Sequence, residues 1–179
     1  GAGAGGLVTS LIGATVRAKV TLIEQAKMGG DCLNTGCVPS KTLIRAARLA
    51  HEMRTADRYG LTPANPPVPF ERVMARVREA FRIIEPADSA ERYTGLGVDV
   101  RQGHATIVDP WTVAIDGEKR LTTRSIVIAA GGEPVVPDIP GLEESGYLTS
   151  DTLWDALGER ASVPERIVVI GGGPIGCEL

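Results

Sequence analysis

Hydrophobic residues recur along this chain with two periods, one typical of α-helices and the other of β-strands. Val73, Val77 and Phe81 lie four residues apart, which places them on one face of a helix. Apolar residues with a similar helical spacing occur after Leu7 and in other segments. The helices predicted in this way begin near Leu7 and cover residues 42–58, 70–84 and 152–157.

Short apolar runs between turn residues predict the strands. Residues 98–115 hold three such runs divided by Gly103 and by Asp109-Pro110, which predicts a small antiparallel ribbon. The continuously apolar runs 125–129 and 167–170 are typical of parallel strands buried on both faces. The predicted strands cover residues 20–23, 98–101, 105–108, 111–115, 125–129 and 167–170. This mixture of elements predicts the α/β class.

The first predicted helix follows a glycine-rich turn. Residues 1–6 have the spacing G-x-G-x-x-G, in which glycines permit a tight turn, close approach of a pyrophosphate and close helix packing. The strand over 20–23 ends in Glu24, about 20 positions after the glycines, where an acidic residue binds adenosine ribose hydroxyls. A solvated strand end is the alternative for Glu24. The combined pattern favours the ribose role.

A second motif of the same kind follows the strand over 167–170. Gly171, Gly173 and Gly176 repeat the G-x-G-x-x-G spacing at a strand-to-helix junction. Two such motifs in one chain predict two nucleotides bound by two domains. Gly131, after the strand over 125–129, offers another place where a backbone without side-chain bulk can approach a ligand.

Two cysteines, Cys32 and Cys37, lie where a glycine-rich turn runs into an amphipathic helix. Gly36 permits the bend that a disulfide between them requires. A thiol at a helix start also lies near the positive end of the helix dipole, which favours the reactive thiolate. A structural disulfide, or a pair of inert core thiols, is the alternative to a redox pair. Nothing else in the sequence is typical of a secreted, disulfide-stapled protein, so we favour the redox interpretation.

Composition narrows the class of protein further. The chain has 179 residues, of which 43% are hydrophobic and 23% charged, with a net charge of −3. This is enough for one core and the start of a second domain. The slight acidity and the lack of a basic run argue against nucleic acid as a partner. No segment is apolar enough for a membrane span or signal peptide, and three cysteines fit a reducing cytoplasm.

Both ends of the sequence are expected to be truncated. Gly1 lies inside a motif with no strand before it, and Leu179 falls a few residues into a predicted helix. We therefore expect an internal fragment of a longer protein. One nucleotide-binding domain, which carries the redox pair, is expected over residues 1–150, and a linker with the beginning of a second nucleotide-binding domain over 151–179.

Residues 29–41, which read Gly-Gly-Asp-Cys-Leu-Asn-Thr-Gly-Cys-Val-Pro-Ser-Lys, match a family pattern closely. The pattern is G-G-x-C-x-N-x-G-C-x-P-x-K, and with both glycine motifs the chain resembles the class I flavoprotein disulfide reductases. That family includes dihydrolipoamide dehydrogenase, glutathione reductase and mercuric reductase. The resemblance implies a three-layer ββα, Rossmann-like FAD-binding domain with a small antiparallel ribbon, followed by the start of a Rossmann-like NAD(P)-binding domain.

The resemblance also implies roles for individual residues. Cys32 exchanges with substrate, and Cys37 lies against the flavin and forms a charge-transfer thiolate. Lys41 pairs with Glu178, and these four residues form the catalytic set. The implied cofactor-binding residues are Gly1, Gly3, Ala4, Gly5, Gly6, Glu24, Gly30, Asp31, Cys32, Lys41, Ala105, Gly131, Gly171, Gly173 and Gly176. No resident metal site is expected.

In such an enzyme, electrons pass from NAD(P)H through FAD to the Cys32–Cys37 disulfide and then to substrate. The family's His–Glu base and dimer interface lie in a C-terminal domain beyond this sequence, so neither His51 nor His104 takes the base's role.

The chain departs from the family pattern at two positions that concern cofactor contacts. Ala130 replaces a threonine usual in the family, and Pro174 replaces a tyrosine that gates the nicotinamide pocket in several members.

The segment from Pro39 to His51 is more similar to mercuric reductases than to dihydrolipoamide dehydrogenases. Because Hg(II) is soft and prefers sulfur ligands, a Hg(II)-thiolate is the first expected substrate and a small-molecule disulfide the second. A flavin-dependent transhydrogenase or electron carrier is a third possibility, although members specialised for that reaction lack the first cysteine. A nucleotide-binding structural module leaves the two glycine motifs and the cysteine pair unexplained. The full-length protein is expected to be a cytoplasmic homodimer.

Overall fold

The computed structural model describes residues 1–178 and combines helices with short strands. The α-helices are α1 (Ala4–Thr15), α2 (Gly30–Asn34), α3 (Cys37–Arg54), α4 (Phe70–Ile84), α5 (Ala90–Gly95), α6 (Leu153–Gly158) and α7 (Pro174–Glu178). The strands are β1 (Thr21–Glu24), β2 (Asp99–Gln102), β3 (Ala105–Asp109), β4 (Thr112–Ile115) and β5 (Lys119–Thr122). Short 3₁₀ turns cover Ala56–Tyr59, Glu85–Asp88 and Glu143–Ser145.

The chain divides into two compact units. The first comprises Gly1–Asn34 and Ile84–Glu133, and the second comprises Thr35–Ile83 and Pro134–Leu179. Each unit has its own cluster of buried apolar side chains. Within residues 1–178, no helix combines the length and the apolar character needed to cross a membrane.

The first unit is built around a parallel pair of strands. β1 and β2 run parallel, with Thr21 opposite Asp99 and Glu24 opposite Gln102. The buried cluster beside this pair draws on α1, β1 and α5. Its members are Ala2, Leu7, Leu22, Tyr93 and Val98. The parallel pair therefore ends, at Glu24, close to the glycine-rich turn that begins the chain.

The antiparallel ribbon is present, but its strands differ from those predicted. It has the order β3-β4-β5, and the run over 98–101 is β2 of the parallel sheet instead. The reason lies at Gly103, whose N–H donates to the carbonyl of Glu24 at 2.9 Å and so continues the ladder of β1. At the β3–β4 turn, the N–H of Trp111 donates to Asp109 at 2.7 Å, and this bond lowers the pKa of Asp109.

The second unit packs α4 against α6. Its buried cluster comprises Phe70, Met74, Val77, Trp154 and Leu157. The bounds of α4 agree with the prediction. Of the predicted face, Val77 is buried and Val73 and Phe81 are half-buried, and Met74 and Ala80 are buried beside it.

Helix α3 begins five residues earlier than predicted, at Cys37, and it ends at Arg54. Pro39 does not prevent this early start, because a proline in the first turn of a helix replaces an N–H that has no acceptor there. Cys37 is therefore the first residue of the helix.

Two predicted parallel strands, over 125–129 and 167–170, are not strands in the structure. Val127 and Ile128 are 61% and 76% exposed, and Val168 is 88% exposed. A strand requires a neighbour to receive its backbone hydrogen bonds, and in the described residues the sheets contain only β1–β2 and β3–β4–β5. An apolar run predicts the tendency to form a strand and does not specify its partner.

Candidate functional site

The glycine-rich turn leads into the N-terminus of helix α1. Gly3 is the N-cap, no side chain of the described residues caps this end, and the first turn holds no acidic residue. Ala4 and Gly5 are exposed. The first N–H groups of a helix have no acceptor within the helix and attract anions. This end of α1 can therefore receive a phosphate group.

The space around each glycine of this turn shows whether the chain's own packing excludes a side chain there or whether room is left for a ligand. A Cβ at Gly6 would overlap the carbonyl oxygen of Gly1, and a Cβ at Gly1 would overlap the carbonyl oxygen of Ala129. Among residues 1–178, a Cβ at Gly3 would meet only the Cα of Gly30, at 3.7 Å. Gly1 and Gly6 are thus required by the chain's own packing. The space beside Gly3, where a side chain would lie, is open. A pyrophosphate needs such space to approach the backbone closely.

Glu24 lies beside this turn. Its side chain is 8% exposed, and its two carboxylate oxygens accept the N–H groups of Ala2 at 2.5 Å and Ala26 at 2.7 Å. Each carboxylate oxygen can accept a further hydrogen bond. Glu24 therefore braces the glycine-rich turn and keeps acceptor capacity for a ligand hydroxyl.

The turn before Cys32 is joined to the same glycine-rich loop. The N–H of Gly29 donates to the carbonyl of Ala2 at 2.9 Å. A Cβ at Gly30 would lie 2.5 Å from the Cα of Gly3, and the φ of Gly30 is +56°, so this position requires glycine for two reasons. The side-chain amide of Asn34 donates to the carbonyls of Met28 at 3.0 Å and Gly30 at 2.9 Å. The segment that carries Cys32 is thereby held against the glycine-rich turn.

Both cysteines of the predicted pair are exposed, and each lies in an α-helix. Cys32 is the third residue of α2, and Cys37 is the first residue of α3. Asp31, in the first turn of α2, is also exposed. The two cysteines flank a link of only two non-helical residues, Thr35 and Gly36. Both thiols are therefore accessible to a reaction partner.

Lys41 and Glu178 form an ion pair in the second unit, between the first turns of α3 and the end of α7. Their side chains are 57% and 41% exposed. The buried hydroxyl of Ser40 lies 3.5 Å from the same Glu178 oxygen, a long contact that adds little. The structure therefore contains the pair that the resemblance implies, and the catalytic role of these residues stays a prediction.

The second glycine motif has the same internal packing as the first. A Cβ at Gly176 would overlap the carbonyl oxygen of Gly171, whereas a Cβ at Gly173 would have no atom of the described residues within 4 Å. Helix α7 begins within the motif, directly after Gly173, with Pro174 as its first residue. This arrangement fits a nucleotide phosphate, as the first motif does.

The remaining predicted residues lie in open positions. Gly131 is exposed with φ +77°, a conformation that favours glycine. Ala105 lies on β3, an edge strand of its sheet, so part of its backbone faces away from β4. His104 contacts Gln25 through Nδ1 at 2.7 Å, and His51 is exposed on α3.

The sequence pattern contained Gly29 and Asn34 but gave no contact for either, and it did not identify Trp154. Trp154 Nε1 donates to the carbonyl of Thr35, inside the cysteine segment, at 2.6 Å. The Asn34 contacts are local, and the x-N-x-G-C spacing contained that signal. The Trp154 contact spans 119 residues, and no periodicity pointed to it.

Comparison with known proteins identifies relatives of the whole sequence. The family profile described as "Pyridine nucleotide-disulphide oxidoreductase" matches residues 1–179. A mercuric reductase of Lysinibacillus sphaericus is 35% identical over 179 residues, which cover 100% of this chain and 32% of that protein. A dihydrolipoyl dehydrogenase of Bacillus subtilis is 36% identical over 182 residues, which cover 100% of this chain and 37% of that protein. The chain thus spans about a third of the length of these relatives.

A solved structure agrees with the fold. The HOCl-induced flavoprotein disulfide reductase RclA from Escherichia coli superimposes with a TM-score of 0.76 and 27% sequence identity, over 99% of this chain and 37% of that chain. This match confirms the predicted α/β fold with a Rossmann-like FAD-binding domain. The mercuric reductase and the dihydrolipoyl dehydrogenase are about equally similar to this chain in sequence. The comparison therefore does not decide between the two expected substrates.

Proposed function

The chain belongs to the pyridine nucleotide-disulphide oxidoreductase family, and from this premise we propose that it passes electrons from NAD(P)H through FAD to a Cys32–Cys37 disulfide and then to substrate. One observation carries the proposal. The N–H of Gly29 and the close packing of Gly30 on Gly3 attach the segment of Cys32 to the nucleotide-binding turn. These contacts support the proposal, because they would hold a redox-active sulfur and a dinucleotide site together.

FAD fits the residues of the first motif. The open face of Gly3 and the uncapped start of α1, with Ala4 and Gly5, would hold the pyrophosphate. Glu24 would accept the ribose hydroxyls, and the backbone of Ala105 would contact the adenine. Bound FAD would supply the chemistry that no side chain offers, the transfer of two electrons between a pyridine nucleotide and a disulfide.

The cysteines perform the protein's part of the reaction. Reduction breaks the bond between the two sulfur atoms, and two electrons with two protons convert it to two thiols. With a disulfide substrate, the thiolate of Cys32 attacks one substrate sulfur, and Cys37 then closes the protein disulfide as the dithiol product leaves. With a Hg(II)-thiolate, the two cysteine thiolates displace the substrate thiols, and the two electrons released when the disulfide closes reduce Hg(II) to Hg(0). Lys41, held by Glu178, would place a positive charge close to the flavin half of the cofactor.

The second motif would bind NAD(P)H. Gly173 has open space where a side chain would stand, and Gly171 and Gly176 pack on each other as the first motif does. We propose that residues 151–179 begin this second domain and that residues 1–150 form the FAD domain. We also propose a cytoplasmic location, because a cysteine pair that must cycle between two states suits a reducing compartment. That the full-length protein is a homodimer is proposed from the family resemblance alone.

For the substrate, we propose a Hg(II)-thiolate, with a small-molecule dithiol or disulfide as the second candidate. The exposure of both cysteines supports either, because a soft metal ion and a disulfide each need an accessible thiolate.

The deciding experiment compares kcat/KM of the full-length protein for Hg(II) bound to a thiol with kcat/KM for lipoamide, using NADH and NADPH in turn. Preference for Hg(II), lost in Cys32→Ser and retained in Cys177→Ser, supports the first candidate. Preference for lipoamide with the same dependence on Cys32 supports the second. Activity that survives Cys32→Ser with both substrates contradicts the whole proposal.

A further inference from the structure

The link between the two cysteines is held by a side chain from a distant part of the sequence. Helix α2 ends at Asn34 and helix α3 begins at Cys37, so Thr35 and Gly36 alone join them. The carbonyl oxygen of Thr35 accepts the indole N–H of Trp154 at 2.6 Å. Both residues belong to the second unit, so this contact lies within one compact body.

Helix α3 cannot supply this hydrogen bond itself. The residue four positions after Thr35 is Pro39, which has no N–H to donate to a preceding carbonyl. The first bond of the helix goes instead from the N–H of Ser40 to the carbonyl of Gly36 at 3.0 Å. Gly36, the N-cap, has no side chain with which to fix the turn. The Thr35 carbonyl therefore depends on a donor from outside the helix.

The indole is well placed to act as a fixed donor. Trp154 is 9% exposed and packs with Phe70, Met74 and Leu157, so its ring is oriented by its neighbours before it meets the loop. A peptide group is planar, so fixing the Thr35 carbonyl also fixes the direction of the Gly36 N–H. One hydrogen bond thus restrains the peptide at the centre of the ring that a Cys32–Cys37 disulfide closes.

We propose that Trp154 is a positioning residue of the redox pair, which favours the disulfide over the dithiol by limiting the freedom of the link between them. This inference rests on the proposed function, because it concerns the same cysteines. The balanced reaction is disulfide plus dithiothreitol giving two protein thiols plus oxidised dithiothreitol. A more mobile link lowers the effective concentration of one thiol for the other, which shifts this equilibrium toward the dithiol.

The test measures that equilibrium in the full-length, FAD-loaded protein. Wild type, Trp154→Phe and Trp111→Phe are equilibrated without oxygen in dithiothreitol redox buffers, and the thiols are trapped by alkylation and located by mass spectrometry. Trp111 is the matched control, because it is the other tryptophan of the chain and is 61% exposed. Loss of a hydrogen bond of ordinary strength should shift the constant of Trp154→Phe toward the dithiol by about fivefold, equivalent to about 20 mV. Trp111→Phe should match wild type.

A second variant separates the hydrogen bond from packing and covers the case in which Trp154→Phe does not fold. In the Trp111→Phe background, position 154 carries β-(3-benzothienyl)alanine, which keeps the bicyclic shape but has no N–H. The same fivefold shift supports the proposal. A wild-type equilibrium constant in this variant overturns it, whatever Trp154→Phe does.

The failure of this inference can be told apart from failure of the proposed function. If Cys32 and Cys37 of the wild type never interconvert between disulfide and dithiol, the proposed function fails. If they interconvert in the wild type with the same constant as in the analogue-containing protein, only the role of Trp154 fails.

Discussion

Lys41 and Glu178 are 137 residues apart in the sequence and form an ion pair in the structure. Lys41 lies in the first turns of the helix that begins at Cys37, and Glu178 lies in the helix that follows the second glycine motif. Both side chains are more than a third exposed, and exposed ion pairs contribute little to stability. We therefore propose that the pair acts through the position in which it holds the lysine charge.

Replacing Lys41 with methionine should slow reduction of the full-length protein by NAD(P)H about tenfold, equivalent to roughly 1.4 kcal/mol of barrier. The reason is the loss of a positive charge near the site where negative charge develops. Glu178→Gln should act in the same direction with a smaller effect. Stopped-flow absorbance measures the rate.

The control for this prediction lies on the same helix. Arg48 and Glu52 form an exposed ion pair of similar exposure, with Nε and Oε1 2.8 Å apart. Arg48→Met should leave the rate of reduction unchanged. Equal rates for Lys41→Met and Arg48→Met would remove Lys41 from the catalytic set.

Alanine at two different glycines of the first motif should have two different effects, one on stability and the other on FAD binding. Gly6→Ala should destabilise the protein by about 1–3 kcal/mol, because the new Cβ overlaps the Gly1 carbonyl. Gly3→Ala should retain the stability of the apoprotein and weaken FAD binding, because its Cβ enters open space that the cofactor would fill. Chemical denaturation of the apoprotein and quenching of FAD fluorescence measure the two effects. FAD binding of wild-type strength in Gly3→Ala would contradict the assignment of this turn.

Replacing Glu24 with glutamine should lower both the stability of the protein and its affinity for FAD. In Glu24→Gln, one of the N–H groups of Ala2 and Ala26 must face an amide NH₂ instead of an oxygen. Leaving a buried donor without an acceptor costs about 1–3 kcal/mol. The exposed Glu118 is the control, and Glu118→Gln should behave as wild type in both measurements. A stable Glu24→Gln protein with unchanged FAD affinity would argue against the ribose role.

The cysteines should differ in their spectra, because the family resemblance places Cys37 beside the flavin and Cys32 toward substrate. Two-electron reduction of the full-length protein should produce a long-wavelength charge-transfer band. The band should be absent in Cys37→Ser and should form on reduction of Cys177→Ser as in the wild type. Cys32→Ser has no disulfide to reduce, so its free Cys37 thiolate should give the band before any reductant is added, and two-electron reduction should remove it. A band that persists in Cys37→Ser would reverse the assignment of the two thiols.

Local sequence patterns predicted the features that depend on neighbouring residues. The 3.6-residue period located α4 from Phe70 to Ile84, and glycine spacing located the turn before α1. The start of α3 was predicted too late, because the pattern of apolar residues does not register a helix whose first turn contains Cys37 and Pro39.

Features that depend on distant partners were not predicted from periodicity. The run over 125–129 is apolar, yet no strand of the described sheets pairs with it. The run over 98–101 was assigned to the ribbon because the sequence does not show that Gly103 bonds to Glu24. The Lys41–Glu178 pair was expected only through the resemblance, and the bond from Trp154 to Thr35 left no local signal.

The central claim is that Cys32 and Cys37 form a disulfide that a pyridine nucleotide reduces through bound FAD. Its most direct test counts thiols in the full-length, FAD-loaded protein before and after anaerobic addition of NADH or NADPH, with alkylation and peptide mapping. The account predicts two new alkylation sites per chain, at Cys32 and Cys37, and no change at Cys177. Unchanged alkylation of Cys32 and Cys37 with both nucleotides would contradict it.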